Sequence, residues 1–360
     1  MPQELTRDFP NEMKVSNRIR WMILAGFLLL VIVLFFISLM VGSSNMPFGE
    51  SFMALFGQGS DVAVRIVQKI RLPETLAALI AGAGLSIAGL MMESTLKNPM
   101  ASPSTLGVSN AAVFGANVSI IGFAGGFLAT GNNPQDFAVG ANPFATSSIA
   151  FIFAATSTLL VLALCSIRSF SSETVVLAGI ALGTVWTAAT TLLQFFATDV
   201  GLSAAIIWTF GDLSRATFTM DYIMLAVVGL SAIVFFLLRW RFNAVAADER
   251  VAQTLGVHVR ALRFVTLFLS SLVTAVVVSY LGVIGFVGII CPHVMRRIVG
   301  NNHRFLIPGS LLCGSALLLL SNIVSHLVGG GTALPVGAIT ALLGGPFFLY
   351  LIFARKGAKA

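Results

Sequence analysis

The sequence predicts an all-α polytopic membrane protein with about ten transmembrane helices, and three observations predict it. Of 360 residues, 57% are hydrophobic and only 10% are Asp, Glu, Lys or Arg, against roughly 25% charged in an ordinary soluble domain. The mean hydropathy is +0.95. The apolar residues gather into runs of about 20, the length a helix needs to cross the hydrocarbon core. This pattern excludes a water-soluble globule.

The candidate spans lie near 21–41, 74–93, 105–125, 147–167, 174–197, 221–239, 262–280, 283–298, 306–327 and 336–353. The first follows Arg18 and Arg20, but from Trp21 to Met40 it is longer than the apolar core of a signal peptide, about 7 to 15 residues. It therefore counts as a retained helix. The second carries Gly82, Gly84 and Gly89, which permit close helix contact, and Asn98-Pro99 with Pro103 stops it at the membrane face. The seventh and eighth come from one apolar stretch in which Tyr280-Leu281-Gly282 is the expected turn, a single kinked helix being the alternative.

Orientation follows from lysine and arginine. With the N-terminus inside, seventeen of the 21 basic residues fall on the cytoplasmic side, leaving Arg65, Lys69, Arg71 and Arg215 outside. The net charge of +7 thus reflects membrane topology, and no nucleic-acid partner is expected. The domain expectation is a cytoplasmic segment 1–20, a single transmembrane domain 21–353 and a cytoplasmic tail 354–360.

Chemically active residues are sparse. Cys165, Cys291 and Cys313 lie in apolar stretches without ligand spacing. His293, beside Pro292, has no second ligand at useful spacing, and His303 is ten residues away. No metal site and no cofactor are expected. From Val251 to Ala360 there is neither Asp nor Glu, and Glu93, Glu173 and Asp221 fall near span ends. That distribution disfavours a self-contained secondary transporter or channel with an intramembrane charge relay. No cluster stands at catalytic spacing and no G-x-x-x-x-G-K-[ST] phosphate loop is present, so the chain is expected to be neither an enzyme nor an ATPase.

Residues 239–264 form the longest polar loop on the cytoplasmic side. Asp248 and Glu249 fit the first turn of a short helix, and Gly256 after Leu255 fits its end. Ala247, Val251 and Leu255 repeat every four residues, an apolar side suited to lipid or to a groove on another protein; a solvated loop is the third option. Glu93 either lines a pathway or is held by Lys97 at i+4.

Together these stretches resemble one family, the permease subunits of bacterial ABC importers for iron-siderophores, haem and vitamin B12 (FecCD/BtuC-like). The matching elements are Arg71-Leu72-Pro73, the second span ending in Lys97-Asn98-Pro99-Met100-Ala101-Ser102-Pro103 with Leu106-Gly107, and Leu255-Gly256-Val257. They continue with Gly285-Phe286-Val287-Gly288, Pro292-His293, Arg296, Gly300, His303-Arg304, Pro308, Leu334-Pro335-Val336-Gly337 and Gly344-Gly345-Pro346-Phe347. The resemblance covers nearly the whole chain after residue 65.

It implies a type II ABC importer permease fold with ten helices and both termini cytoplasmic, multi-pass in the lipid of the bacterial cytoplasmic (inner) membrane. It further implies a second permease, identical or paralogous, two ATP-binding subunits that hold ATP-Mg, and a substrate-binding protein. The implied cargo is an iron-siderophore-type metal chelate, with haem and cobalamin as alternatives. Carried over, Ala247, Asp248, Glu249, Arg250, Val251, Leu255 and Gly256 belong to an ATPase-coupling loop at about 241–261. Arg65, Lys69 and Arg71 become binding-protein docking residues, and Glu93, Asn98, Pro99, Gly285, Pro292 and His293 line the pathway or support its gate.

The chain departs from the family pattern at Glu74, where a second arginine is common, at Asn322 and His326, where Asp and Arg are common, at Ala333 in place of glutamate, and at Glu93 in place of glutamine. Some docking or salt-bridge partners are thereby expected to be missing, and a complementing paralogous permease is one explanation.

Overall fold

In a bilayer every backbone N–H and C=O must find a partner within the protein, so apolar segments become helices. The computed structural model describes residues 17–42, 46–123, 142–167, 171–329 and 333–354. The expected N-terminal segment up to residue 16, the loop cation Arg168 and the tail from residue 355 lie outside the described residues. Among the described residues the one sheet-like feature is an isolated bridge between Phe210 and Val283.

The helices are α1 (Asn17–Met40), α2 (Phe48–Leu55), α3 (Asp61–Leu96), α4 (Val108–Phe123), α5 (Pro143–Ile167), α6 (Ser172–Phe195) and α7 (Asp199–Thr209). They continue with α8 (Phe218–Leu237), α9 (Arg239–Ala247), α10 (Glu249–Thr254), α11 (Val259–Leu281), α12 (Val287–Val299), α13 (His303–Val328) and α14 (Val336–Ala354). Among the described residues seven of them, α1, α3, α5, α6, α8, α11 and α13, are long and apolar enough to cross a membrane.

Helix α3 is the centre of the fold. Its most apolar window is 83% buried, against 22% for α1 and for α6, and it packs on α8, α11, α12 and α13. Two glycine pairs make the closest approaches. A Cβ on Gly82 would collide with the Gly314 carbonyl of α13, and one on Gly89 with the Gly288 carbonyl of α12. Without a hydrophobic force between helices in lipid, such backbone-to-backbone packing is a main source of association.

Helix α3 also starts earlier than the sequence suggests. Ser60 caps it by accepting the Ala63 N–H, and a π-helical turn at Val67–Arg71 carries it into Pro73 without a break. A proline inside a regular helix clashes with the carbonyl four residues earlier, and the wider turn accommodates that conflict.

The eighth expected span is corrected. Tyr280 and Leu281 remain helical, and the chain breaks at Gly282–Phe286, where Gly282 has φ +78° and Phe286 φ +65°. The continuing helix α12 has 13 residues, about 20 Å at 1.5 Å per residue, too short to cross alone. The single-kinked-helix alternative fails because the backbone leaves the helix between Leu281 and Val287, which makes α11 and α12 separate elements. Helices α2 and α7 are further elements that the apolar run lengths did not reveal.

The glycine contacts yield a stability test. Gly89→Val should destabilise the purified protein by about 1–3 kcal/mol through overpacking, whereas Gly229→Ala on α8, where nothing lies within 4 Å of the new Cβ, should be neutral or stabilising by up to about 1 kcal/mol. Equal thermal melts of both variants would refute the packing argument.

Candidate functional site

Lys97, Arg239, Arg250, Arg263, Arg296 and Arg304 sit at the helix ends that flank α9 and α10, which defines a basic end of the molecule. At that end a cavity of about 570 Å³ opens between α3, α9, α12 and the start of α13, lined among others by Glu93, Lys97, Pro99, Asn243, His293 and Arg296.

Glu93 is buried and pairs with Arg296 of α12 at 3.4 Å. The i+4 alternative fails: Lys97 stands at the end of α3 in the left-handed region, φ 51°, and is exposed. His303 is structural. Its Nδ1 lies 2.8 Å from Asn243 Oδ1, which can only accept, and its Nε2 lies 2.9 Å from Ser94 Oγ. That pattern places a proton on Nδ1, while the Ser94 hydroxyl can either donate to Nε2 or accept from it.

The loop from Lys97 to Gly107 separates this vestibule from two further spaces. Ser102 and Thr105 cap each other reciprocally across a short turn at Pro103–Leu106, and Gly107 with φ +76° begins α4. On one side a groove of about 580 Å³ runs between this loop and α6, lined by Asn98, Ser104, Thr105, Thr184 and Thr187. On the other a cavity of about 260 Å³ lies against the break at Ile284–Gly288. Glu93, Pro99 and His293 therefore meet in the vestibule, Asn98 lines the groove and Gly285 the smaller cavity. Pro292 is buried within α12, where it removes the N–H that the Gly288 carbonyl would accept in a regular helix.

The cytoplasmic loop forms two helices with Asp248 between them. Asp248 is extended, and its Oδ1 accepts the N–H groups of Arg250 at 2.7 Å and Val251 at 3.1 Å. These backbone bonds, Val251 first, hold its carboxyl below the usual carboxylate range. Gly256 with φ +79° ends the element. Ala247 is exposed, as are Trp240, Val251 at 50% and Leu255 at 69%. The loop is anchored behind: Arg263 of α11 donates to Glu249 at 2.9 Å and its Nε reaches the Thr95 carbonyl of α3 at 3.5 Å.

At the opposite end Arg65 and Lys69 are exposed, but Arg71 is 4% exposed and donates to the Leu39 and Met40 carbonyls at the end of α1. Its assignment to docking is corrected. Arg65 and Lys69 share a helix face at i,i+4, while Arg71 at i+2 points away from Lys69, a signal the spacing already carried.

The departures at 74 and 326 also prove to be partners rather than losses. His326 Nε2 lies 2.7 Å from Glu74 Oε1, Glu74 being buried and the His326 side chain only 10% exposed. Asn322 donates to Ser38, which bonds Thr75. Sequence reasoning missed this pairing, although an acid at one departure and a base at another was the available clue.

The profile of the FecCD transport family matches residues 29–354. A protein of Methanocaldococcus jannaschii named as an ABC transporter permease is 41% identical over 349 residues, 96% of this chain and 98% of its own. The vitamin B12 import system permease protein of Shigella boydii is 33% identical over 94% of this chain and 97% of its own. A solved inward-facing structure described as that of a metal-chelate type ABC transporter superposes with a TM-score of 0.78, covering 92% of this chain and 99% of that one at 28% identity.

The buried pair admits a direct test. His326→Leu leaves Glu74 without its donor and should cost about 3 kcal/mol, while Glu74→Leu combined with His326→Leu should recover most of that loss. Additive destabilisation in thermal melts would show that the two side chains do not interact.

Proposed function

The chain belongs to the FecCD transport family, and from that premise we propose that it moves an iron-siderophore-type metal chelate into the cytoplasm as one of a pair of permeases in the bacterial inner membrane. It is the permease subunit of an ABC importer, so ATP is hydrolysed on a separate subunit. Two such subunits, each holding ATP-Mg, would grip the exposed Ala247, Val251 and Leu255.

The observation that carries this reading is the Arg263 bridge. It joins α10 through Glu249 to the base of α11 and to the Thr95 carbonyl at the end of α3. Thr95 stands two residues from Glu93, and Glu93 holds α12 through Arg296. A push on α10 therefore has a continuous packed route to both walls of the vestibule. Closing and opening that mouth is a task for a bistable element, which a short capped helix between two fixed helices provides.

The second permease would face the open side of α6, where Thr184, Thr187 and Thr191 are exposed, a polarity suited to a pathway rather than to lipid. Among the described residues no group of three His, Cys, Asp or Glu is placed to hold a metal ion. Haem and cobalamin, both metal chelates, are the alternative cargoes, and the vitamin B12 permease relative speaks for the latter. On the outer side, Arg65 and Lys69 would receive an acidic substrate-binding protein, with complementarity acting on orientation and association rate.

Two outcomes are expected. Val251→Asp with Leu255→Asp should leave the permease inserted but abolish co-purification of the ATPase subunit and ATP-driven uptake into vesicles; normal uptake would refute the coupling role. Arg65→Glu with Lys69→Glu should slow binding-protein association at least tenfold at low salt, an effect shrinking as salt rises. A salt-independent rate, equal in the variant, would remove these residues from docking.

A further inference from the structure

The break that cuts α12 short leaves a set of donors with nothing to bond. Gly288 packs on Gly89 and on the Leu85 carbonyl, in the last third of α3 and still about two to three turns from its Leu96 end, so α12 begins within the length of that span. The N–H groups of Ile284, Gly285, Phe286 and Gly288 have no acceptor among the described residues, and no side chain caps the helix.

All four residues line the cavity of about 260 Å³. Thr274 of α11 lines it too, is 1% exposed, and its hydroxyl has no partner among the described residues. Among the described residues no acidic or basic side chain lines this cavity. Irregular backbone at membrane depth is tolerated only where its polar groups are satisfied by something in a cavity. The converging groups are donors at the positive end of a 13-residue helix, an arrangement that favours negative charge.

We propose that this cavity binds a small monovalent anion, held by the N-terminus of α12 and the Thr274 hydroxyl. The shared chemistry is a single negative charge with acceptor lone pairs, supplied either by a free halide-sized ion or by an anionic arm of the passing chelate. The site does not depend on which cargo is carried, and it stands whether or not the coupling assignment does.

Bromide is the probe. With the purified full-length chain in detergent, replacing gluconate by bromide at constant ionic strength should raise the melting temperature saturably, and bromide-soaked crystals should show one anomalous peak beside Thr274 Oγ1 and the Gly288 nitrogen. Thr274→Val should weaken the apparent bromide affinity at least tenfold, and Thr274→Ser should retain it. If Thr274→Val does not fold, the wild-type peak and the Thr274→Ser titration still decide.

Displacement of bromide by a carboxylate-bearing ferric chelate would assign the site to the cargo, and persistence of the peak would assign it to a resident ion; either supports the proposal. Water alone in the cavity, or a bromide response unchanged in Thr274→Val, would overturn it.

Discussion

The contact between the backbones of α3 and its neighbours is the constraint on which the rest depends. Gly89 against Gly288 and Gly82 against Gly314 bring carbonyls where side chains would ordinarily stand. Because α3 runs from Asp61 to Leu96, the same helix carries Arg71 and Glu74 towards one membrane face and Glu93 and Lys97 towards the other. Anything that shifts it alters both ends together. A long buried helix thus serves as the frame against which the short elements α10 and α12 can be displaced.

Charges near this frame follow one rule. An unpaired buried ion in a low-dielectric setting costs several kcal/mol, so each must be paired or must lie at a wet boundary. Arg71 is pinned on the carbonyls that α1 leaves open at its end, Glu74 is met by His326, and Glu93 by Arg296 across the vestibule. The last pair differs from the others: Arg296 is about one third exposed, at 32%, and the 3.4 Å separation is loose. A pair of that kind is easily opened by water, whereas the Glu74–His326 contact is short and shielded.

The helices were largely legible because hydrocarbon thickness fixes run length, and the short loop helix Glu249–Thr254 because Asp248 and Gly256 bracket an apolar repeat. What failed was information that is not local in sequence. Glu93 and Arg296 are some two hundred residues apart, as are Glu74 and His326 by a wider margin, and no periodicity links them. The break at Gly282–Phe286 was hidden by composition, since glycine, valine, isoleucine and phenylalanine suit an apolar helix equally well. The positive φ values of Gly282 and Phe286 show that the chain turns there. Arg71 failed for a different reason, because its helical phase relative to Lys69 was available and charge alone was considered.

The three spaces around the loop Lys97–Gly107 connect these themes. That loop is stiffened by the reciprocal cap of Ser102 and Thr105, hangs directly from the end of α3, and forms a wall of the vestibule, the groove along α6 and the cavity at the α12 terminus. Arg263 touches the same end of α3 through Thr95. In the proposed coupling role, a displacement of α10 would not need to travel through the membrane to reach these spaces. It would act at the junction where α3 ends, and a rigid loop there would convert a small shift of one helix end into a simultaneous change of three walls.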